Sequence, residues 1–189
     1  MMARSIEDIA LHDSALVGVD ESESQLIENS SLRVGYCQTP FWDETEESTR
    51  LALAAARTAF VENGVATDDV ALPEEIGVVS ELHRLVMSVE AAFAFDQEYR
   101  EEHNGLSENM RHLIEAGRTV EPNDVQRFHR VQLMCALKVD RLFDDYDVIL
   151  TPTCPGEAEK GHAVGNNVFN RIWTAMHMPC LTIPSSQGP

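Results

Sequence analysis

The feature that most constrains the fold is an alternation of two hydrophobic periods. Residues 32–36, 65–72, 146–151 and 180–183 are short, bounded apolar runs with the character of buried strands. Between them lie longer stretches in which apolar residues recur at helical spacing. Asp43, with Glu46 three residues on, reads as the cap of a helix running through Ala59, which Gly64 can close. Pro73 then stops the run 65–72, so residues 32–72 form a β-α-β segment. From Glu74 to Asp144 the pattern is helical throughout. Ile76, Val79, Leu82, Val86, Val89 and Phe93 share one face of a long helix. Ser107 to Ala116 is a shorter helix closed by Gly117, and Pro122 opens a third whose apolar side includes Val125, Phe128, Leu142 and Phe143. Ser5 with Asp8 caps a helix at the start of the chain, carrying Ile6, Ile9, Ala10, Ala15 and Leu16 and ending near Gly18. A proline- and glycine-containing loop spans 152–165, and a last helix spans 168–177 before the closing strand. The class is α/β, with no repeat and no linker dividing the chain. Four short strands leave exposed sheet edges, which invite pairing with further chain.

A core is within reach of this composition, since 189 residues with 43% hydrophobic side chains bury roughly 70% of the surface exposed by the unfolded chain. Stability demands no metal, disulfide or cofactor. The 32 acidic side chains outnumber 14 basic ones, for a formal charge of −18, and Lys138 and Lys160 are the two lysines. Nucleic-acid binding rests on basic groups that neutralise phosphates, so DNA, RNA and anionic membranes are excluded as expected partners. The acids are spread along the sequence and read as a solvated surface. Acids at Glu7 and Asp8 stand where a secretory peptide needs an apolar core, and no apolar run reaches the length of a membrane span. The expectation is a cytoplasmic protein. Cys37, Cys135, Cys154 and Cys180 lie too far apart for a zinc knuckle or a CxxC pair and read as reduced, mostly buried thiols.

Generic catalytic motifs are absent: the chain contains no GxSxG, HExxH, SxxK or GxGxxG. The stretch Gly156-Glu157-Ala158-Glu159-Lys160-Gly161-His162 has His where a phosphate loop needs Lys, and two carboxylates that would repel phosphate. No two histidines stand at i+3 or i+4, the spacing of a helical metal site. Two C-terminal stretches hold more interest. Asp147-Val148-Ile149-Leu150-Thr151-Pro152-Thr153-Cys154-Pro155 is a strand stopping at a proline loop, and Phe169-Asn170-Arg171-Ile172-Trp173-Thr174 follows on a helix. Loops at the carboxyl ends of strands are where α/β sheets hold ligands. The competing reading is that the prolines merely end a strand while Phe169 and Trp173 pack into the core.

Taken in order, several segments resemble the amidase signature family. They are Met2-Ala3-Arg4-Ser5-Ile6-Glu7-Asp8-Ile9-Ala10, Leu32-Arg33-Val34-Gly35, the helix after Asp43, Leu72-Pro73, and Arg111 with Glu115-Ala116-Gly117. Phe143 through Thr153, Phe169-Asn170, Trp173-Thr174 and Met178 through Pro184 complete the series. The resemblance implies a mixed-sheet core flanked by helices, with residues 1–189 the C-terminal portion of a single amidase-like domain truncated at both ends. It also implies hydrolysis of linear amide C–N bonds by a serine nucleophile, a second serine in a cis peptide and a lysine base. By the same resemblance that machinery sits in a Gly-Gly-Ser-Ser-Gly segment and a lysine upstream of Met2, so no catalytic residue falls within this chain. Met1 or Met2 reads as an internal methionine, Ser185-Ser186 as a turn, and neither Lys138 nor Lys160 takes a catalytic role. The resemblance implies that Thr151, Pro152, Thr153, Asn170 and Trp173 wall the acyl side of the pocket, with Asn170 as a loop brace and Trp173 as core the alternatives. The implied partner is a small-molecule amide whose identity the residues do not select, and self-association stays open. The other function in contention is a non-catalytic pseudoenzyme or subunit that docks through an exposed sheet edge.

Overall fold

The computed structural model of the chain describes residues 3, 5–18, 28–158, 160–161 and 165–183. Its frame is a small parallel sheet of β1 (Arg33–Tyr36), β2 (Ala66–Asp69) and β3 (Val148–Leu150), in the order β2-β1-β3. All described pairings are parallel, so the mixed pairing implied by the resemblance is not seen among these residues. The central strand is the buried one, with Val34 and Tyr36 inside the fold. Its middle residue, Gly35, pairs with both Asp68 and Ile149. A Cβ there would lie 2.8 Å from Ile149 Cδ1 and 3.2 Å from Tyr146 and Val70 carbons, so the neighbours pack where a side chain would stand. Arg33 staples β1 to β3: its backbone N–H and guanidinium both donate to the Asp147 carboxylate, at 2.7 and 3.0 Å.

The β-α-β expectation is met. The connecting helix α2 (Glu47–Glu62) lays Arg57 over the Tyr36 ring and onto Asp69. Its start differs from expectation, because Asp43 belongs to a 3-10 turn (Trp42–Glu44) and Glu46, the N-cap, makes no side-chain cap. Gly64 does follow the helix with φ 78°, a left-handed conformation that costs glycine least.

Helix α3 (Ile76–Ala94) is the axis of the helical layer, packed against α5 (Glu108–Gly117), α6 (Pro122–Asp140) and α7 (Val168–Ala175). Ile76, Val79, Leu82 and Val86 are buried at the predicted spacing and join Phe128, Cys135, Val139, Ile172 and Trp173 in one apolar cluster. Phe93 lies outside it, 88% exposed, because α3 ends a residue later and α4 (Asp96–Glu101) turns away. Gly117 ends α5 as expected, though not by left-handed capping: Arg118 takes the cap in ordinary helical conformation. Its reason is contact, since a methyl at Gly117 would overlap the Ser88 carbonyl of α3. Leu142 packs on the core, but Phe143 is 39% exposed in a 3-10 turn (Arg141–Asp144) beyond α6.

Helix α1 (Ile6–Val17) has the predicted ends. Ser5 Oγ accepts from the Asp8 N–H at 3.2 Å, and Gly18 is left-handed at φ 75°. None of its residues is buried, and Ile6, Leu11, Leu16 and Val17 are at least half exposed, so its apolar stripe has no core to cover among the described residues. The closing strand at 180–183 does not form. Leu181 and Ile183 are 58% and 52% exposed, because no described edge pairs with this segment. Two of the four cysteines, Cys154 and Cys180, are exposed and not buried as expected. The turn at Ser185-Ser186 lies outside the described residues.

Candidate functional site

Each strand runs into a proline: Pro40 after β1, Pro73 after β2 and Pro152 after β3. Proline supplies no backbone donor, so the ladder stops and the three loops diverge at the carboxyl edge of the sheet. The last ladder bonds are Cys37 N–H to the Leu150 carbonyl and Val70 N–H to the Tyr36 carbonyl, both 2.9 Å. Beyond them Thr39 holds φ 63°, an outlier for a β-branched residue, and its Oγ1 accepts from the Phe41 N–H at 3.2 Å. The strained turn throws residues 41–46 toward the loop that follows β3.

Three segments meet there. The Glu46 N–H donates to the Pro155 carbonyl at 2.7 Å, and the Glu46 carboxylate lies against Gly156, where a Cβ would have to push it aside. Asn166 reaches across 122 positions, Nδ2 donating to Glu44 Oε2 at 3.0 Å, while its Oδ1 accepts from the Val168 N–H in the first turn of α7. Thr153 Oγ1 donates to Asn170 Oδ1 at 3.1 Å. The loops after β1 and β3 and the start of α7 therefore form one polar junction at the strand ends.

The structure brings Thr153 and Asn170 together directly. Thr153 is half-buried and Asn170 exposed, so Asn170 braces the loop while keeping its amide nitrogen free of any described partner. Pro152 is buried and closes β3. Trp173, 5% exposed, sits in the core cluster, and its indole Nε1 has no hydrogen-bond partner among the described residues. Thr151 Oγ1 and Thr45 Oγ1 are likewise buried and unpartnered. Buried polar atoms are ordinarily satisfied, and leaving one unmet costs roughly 1–3 kcal/mol. Glu44, Thr45, Glu46 and Asn166 escaped the sequence reading, which took Glu46 for half of a helix cap.

Arg171, half-buried on α7, donates to Ser80 Oγ at 3.4 Å and to Asn167 Oδ1 at 2.8 Å. Burial first and the nearby positive charge of Arg84 second hold its guanidinium below the usual arginine range, with Glu44 opposing both. His83, one residue before Arg84, is depressed by burial and by Arg171. Cys37, at the mouth of β1, is the reverse case: burial pushes its thiol up to about 11, so it is not poised as a nucleophile. Among the described residues no group of three or more His, Cys, Asp or Glu side chains is arranged to hold a metal ion. None of their helices is long and apolar enough to cross a membrane. A depression walled by Gln97, Glu98 and Glu101 of α4 and by Glu102, which caps it, shares no residue with the junction and has the character of solvated acidic surface.

A family model described as Amidase matches residues 1–186. The chain is 29% identical over 173 residues to a 2-amino-5-chloromuconic acid deaminase of Comamonas testosteroni, a match covering 87% of this chain and 36% of that protein. It superposes on a crystal structure of an amidase with a TM-score of 0.80 at 16% identity, covering 97% of this chain and 45% of the other. A variant of Kluyveromyces lactis allophanate hydrolase matches at a TM-score of 0.52 and 16% identity, over 72% of this chain and 23% of that one. The structural likenesses establish the fold. The chain spans less than half the length of each of these relatives.

Proposed function

The chain belongs to the amidase family, and from that membership we propose that residues 1–189 are the C-terminal portion of one amidase domain that hydrolyses linear amide C–N bonds. The nucleophilic serine and its base lie outside this chain, and the segment supplies the wall against which the amide is held. The observation that carries the reading is the family match across 1–186, from the first helix to the segment after α7. That a relative is named a 2-amino-5-chloromuconic acid deaminase is in keeping with C–N bond chemistry.

Within that enzyme Thr151, Pro152, Thr153, Asn170 and Trp173 wall the acyl side of the pocket. Two of them favour this role because Thr151 Oγ1 and Trp173 Nε1 are buried with unmet hydrogen-bonding capacity. A carboxamide offers both a carbonyl acceptor and N–H donors, the complement that an indole N–H and a hydroxyl lack here. Asn170, held by Thr153, supplies a third fixed dipole.

The test is ammonia release from a panel of primary amides by the isolated 189-residue chain and by the native polypeptide. The chain alone is expected to show none, because loss of nucleophile and base together leaves only residual binding effects. Serine-dependent turnover by the isolated chain refutes the assignment of the catalytic centre. If the native polypeptide has a mass near 21 kDa and no turnover, a docking subunit becomes the better account. In that case the exposed stripe of α1 and the segment 180–183 are the surfaces to probe.

A further inference from the structure

Helix α6 is apolar on two opposite sides. Phe128, Cys135 and Val139 are buried in the core, while Leu133 and Leu137 are more than half exposed and Met134 is exposed beside them. At about 100° per residue, Leu133 and Leu137 project directly away from Cys135, so no rotation of α6 covers one side without uncovering the other. The outward stripe is Arg130, Leu133, Leu137 and Asp140, all exposed and spaced like one seam of a helix pair. Its members are placed symmetrically about Cys135, the two leucines nearest it on either side and the two charges further out at equal distances. A second copy of α6, laid antiparallel on the first with a two-fold level with Cys135, therefore sets Leu133 of each copy on Leu137 of the other. The same operation sets Arg130 of each copy opposite Asp140 of the other, and Arg127 level with the turn that holds Asp144. Neither Arg130 nor Asp140 makes an ion pair within the chain among the described residues. The exposed stripe of α1 lacks this self-complementarity, because that helix carries Glu7, Asp8 and Asp13 and no Lys or Arg.

We propose that the outer face of α6 is an interface between two copies of this protein, which pair antiparallel about a two-fold at Cys135. Leu133, Met134 and Leu137 form its centre, and an Arg130–Asp140 pair closes each end. The 19 residues of α6 span about 28 Å. A contact one helix wide falls below the roughly 1,200 Å² at which stable interfaces begin, so the dimer is concentration-dependent and dissociates in the micromolar range. The pairing does not depend on the hydrolase reading, since α6 contributes no residue to the junction at the strand ends.

Sedimentation of the native polypeptide over a range of concentrations tests it, and a monomer–dimer equilibrium is expected. Arg130→Glu sets acid opposite Asp140, and Asp140→Arg sets base opposite Arg130. Each is expected to weaken the dimer by at least about tenfold. An equimolar mixture of the two variants is expected to dimerise as tightly as the original protein, because every cross-pair then joins opposite charges. Leu133→Ser, at an exposed position, is expected to weaken the dimer without lowering the unfolding temperature, and keeps the test open if a charge variant does not fold. A polypeptide that stays monomeric at about 100 μM overturns the pairing. A dimer indifferent to both charge variants, or a mixture that stays as weak as its components, overturns it too. A monomer in which Leu133→Ser lowers the unfolding temperature by several degrees shows the face covered by more of the same polypeptide, and likewise overturns the pairing.

Discussion

Replacing Gly117 by alanine sets two effects of opposite sign against each other. In a helix interior, Gly→Ala gains about 1 kcal/mol from backbone entropy and propensity. Gly117 occupies the last turn of α5, so propensity alone makes the variant more stable. Packing says otherwise. The added methyl overlaps the Ser88 carbonyl, oxygen and carbon, and lies 2.8 Å from the Val89 nitrogen, more than half an ångström inside ordinary contact at 3.4 Å. These are backbone atoms within α3, whose own helical bonds prevent them from turning aside as a side-chain tip would. Either α5 shifts as a body, loosening the buried Ile114, or α3 bends. Overpacking of a rigid site costs about 1–3 kcal/mol, and a backbone overlap belongs at the upper end. The net is a loss of about 2 kcal/mol, or a fall of roughly 4–8 °C in unfolding temperature for a chain of this size. Thermal unfolding followed by circular dichroism measures it. An unchanged or higher unfolding temperature for Gly117→Ala refutes the close approach of α5 to the α3 backbone.

The buried and exposed thiols predict that Ellman's reagent modifies Cys154 rapidly and Cys180 more slowly in the native chain, because partial burial pushes the Cys180 thiol up, while Cys37 and Cys135 react only on unfolding. A fast third or fourth equivalent under native conditions counts against the core as described. Asp147 is held below the usual carboxylate range chiefly by its hydrogen bonds from Arg33, so it binds protons more readily unfolded than folded. Its contribution is therefore complete above the unfolded value near pH 4 and is lost as pH falls through the lower folded value. Asp147→Asn should flatten that part of the acid-unfolding curve, and an identical curve for the variant removes the pair from the account. Ser107 Oγ accepts from the Met110 N–H at 3.3 Å, and Ser107→Ala should cost about 1 kcal/mol, read as a fall of roughly 2–4 °C in unfolding temperature.

The legible parts of this fold are those whose causes are local. Ser5 and Ser107 announce helix starts because a hydroxyl three residues before a free N–H satisfies it wherever the helix later packs. The spacing of Ile76, Val79, Leu82 and Val86 fixes which face of α3 turns inward. Thr153 and Asn170 stood out for their place after a short apolar strand and at the start of a helix, and their hydrogen bond joins them. Asn166 and Glu44 did not stand out, because each is an ordinary surface residue until the loops after β1 and β3 are brought together. Asp43 and Glu46 carried a valid local signal that a competing one defeated: residues 42–44 close a 3-10 turn first, and the Glu46 backbone N–H is taken by Pro155.

A strand differs from a helix in that its hydrogen bonds belong to its neighbour. Residues 180–183 alternate and branch like a strand, but the Leu181 and Ile183 side chains remain more than half exposed. Left-handed His177 and the bond from the Met178 N–H to the Trp173 carbonyl lead the chain off α7 toward no described edge. Helix α1 shows the same dependence for side chains: its caps are satisfied, while its apolar stripe is not. Both features have complete local causes and lack only a surface to bury against, which burial at roughly 25 cal/mol per Å² makes energetically substantial. The junction at the strand ends has the matching deficit in polar form, with Thr151 and Thr45 each holding an unmet buried hydroxyl. Apolar faces without cover and polar atoms without partners therefore call for different complements. The former require more polypeptide, and the latter require a small polar ligand or water at the carboxyl edge of the sheet.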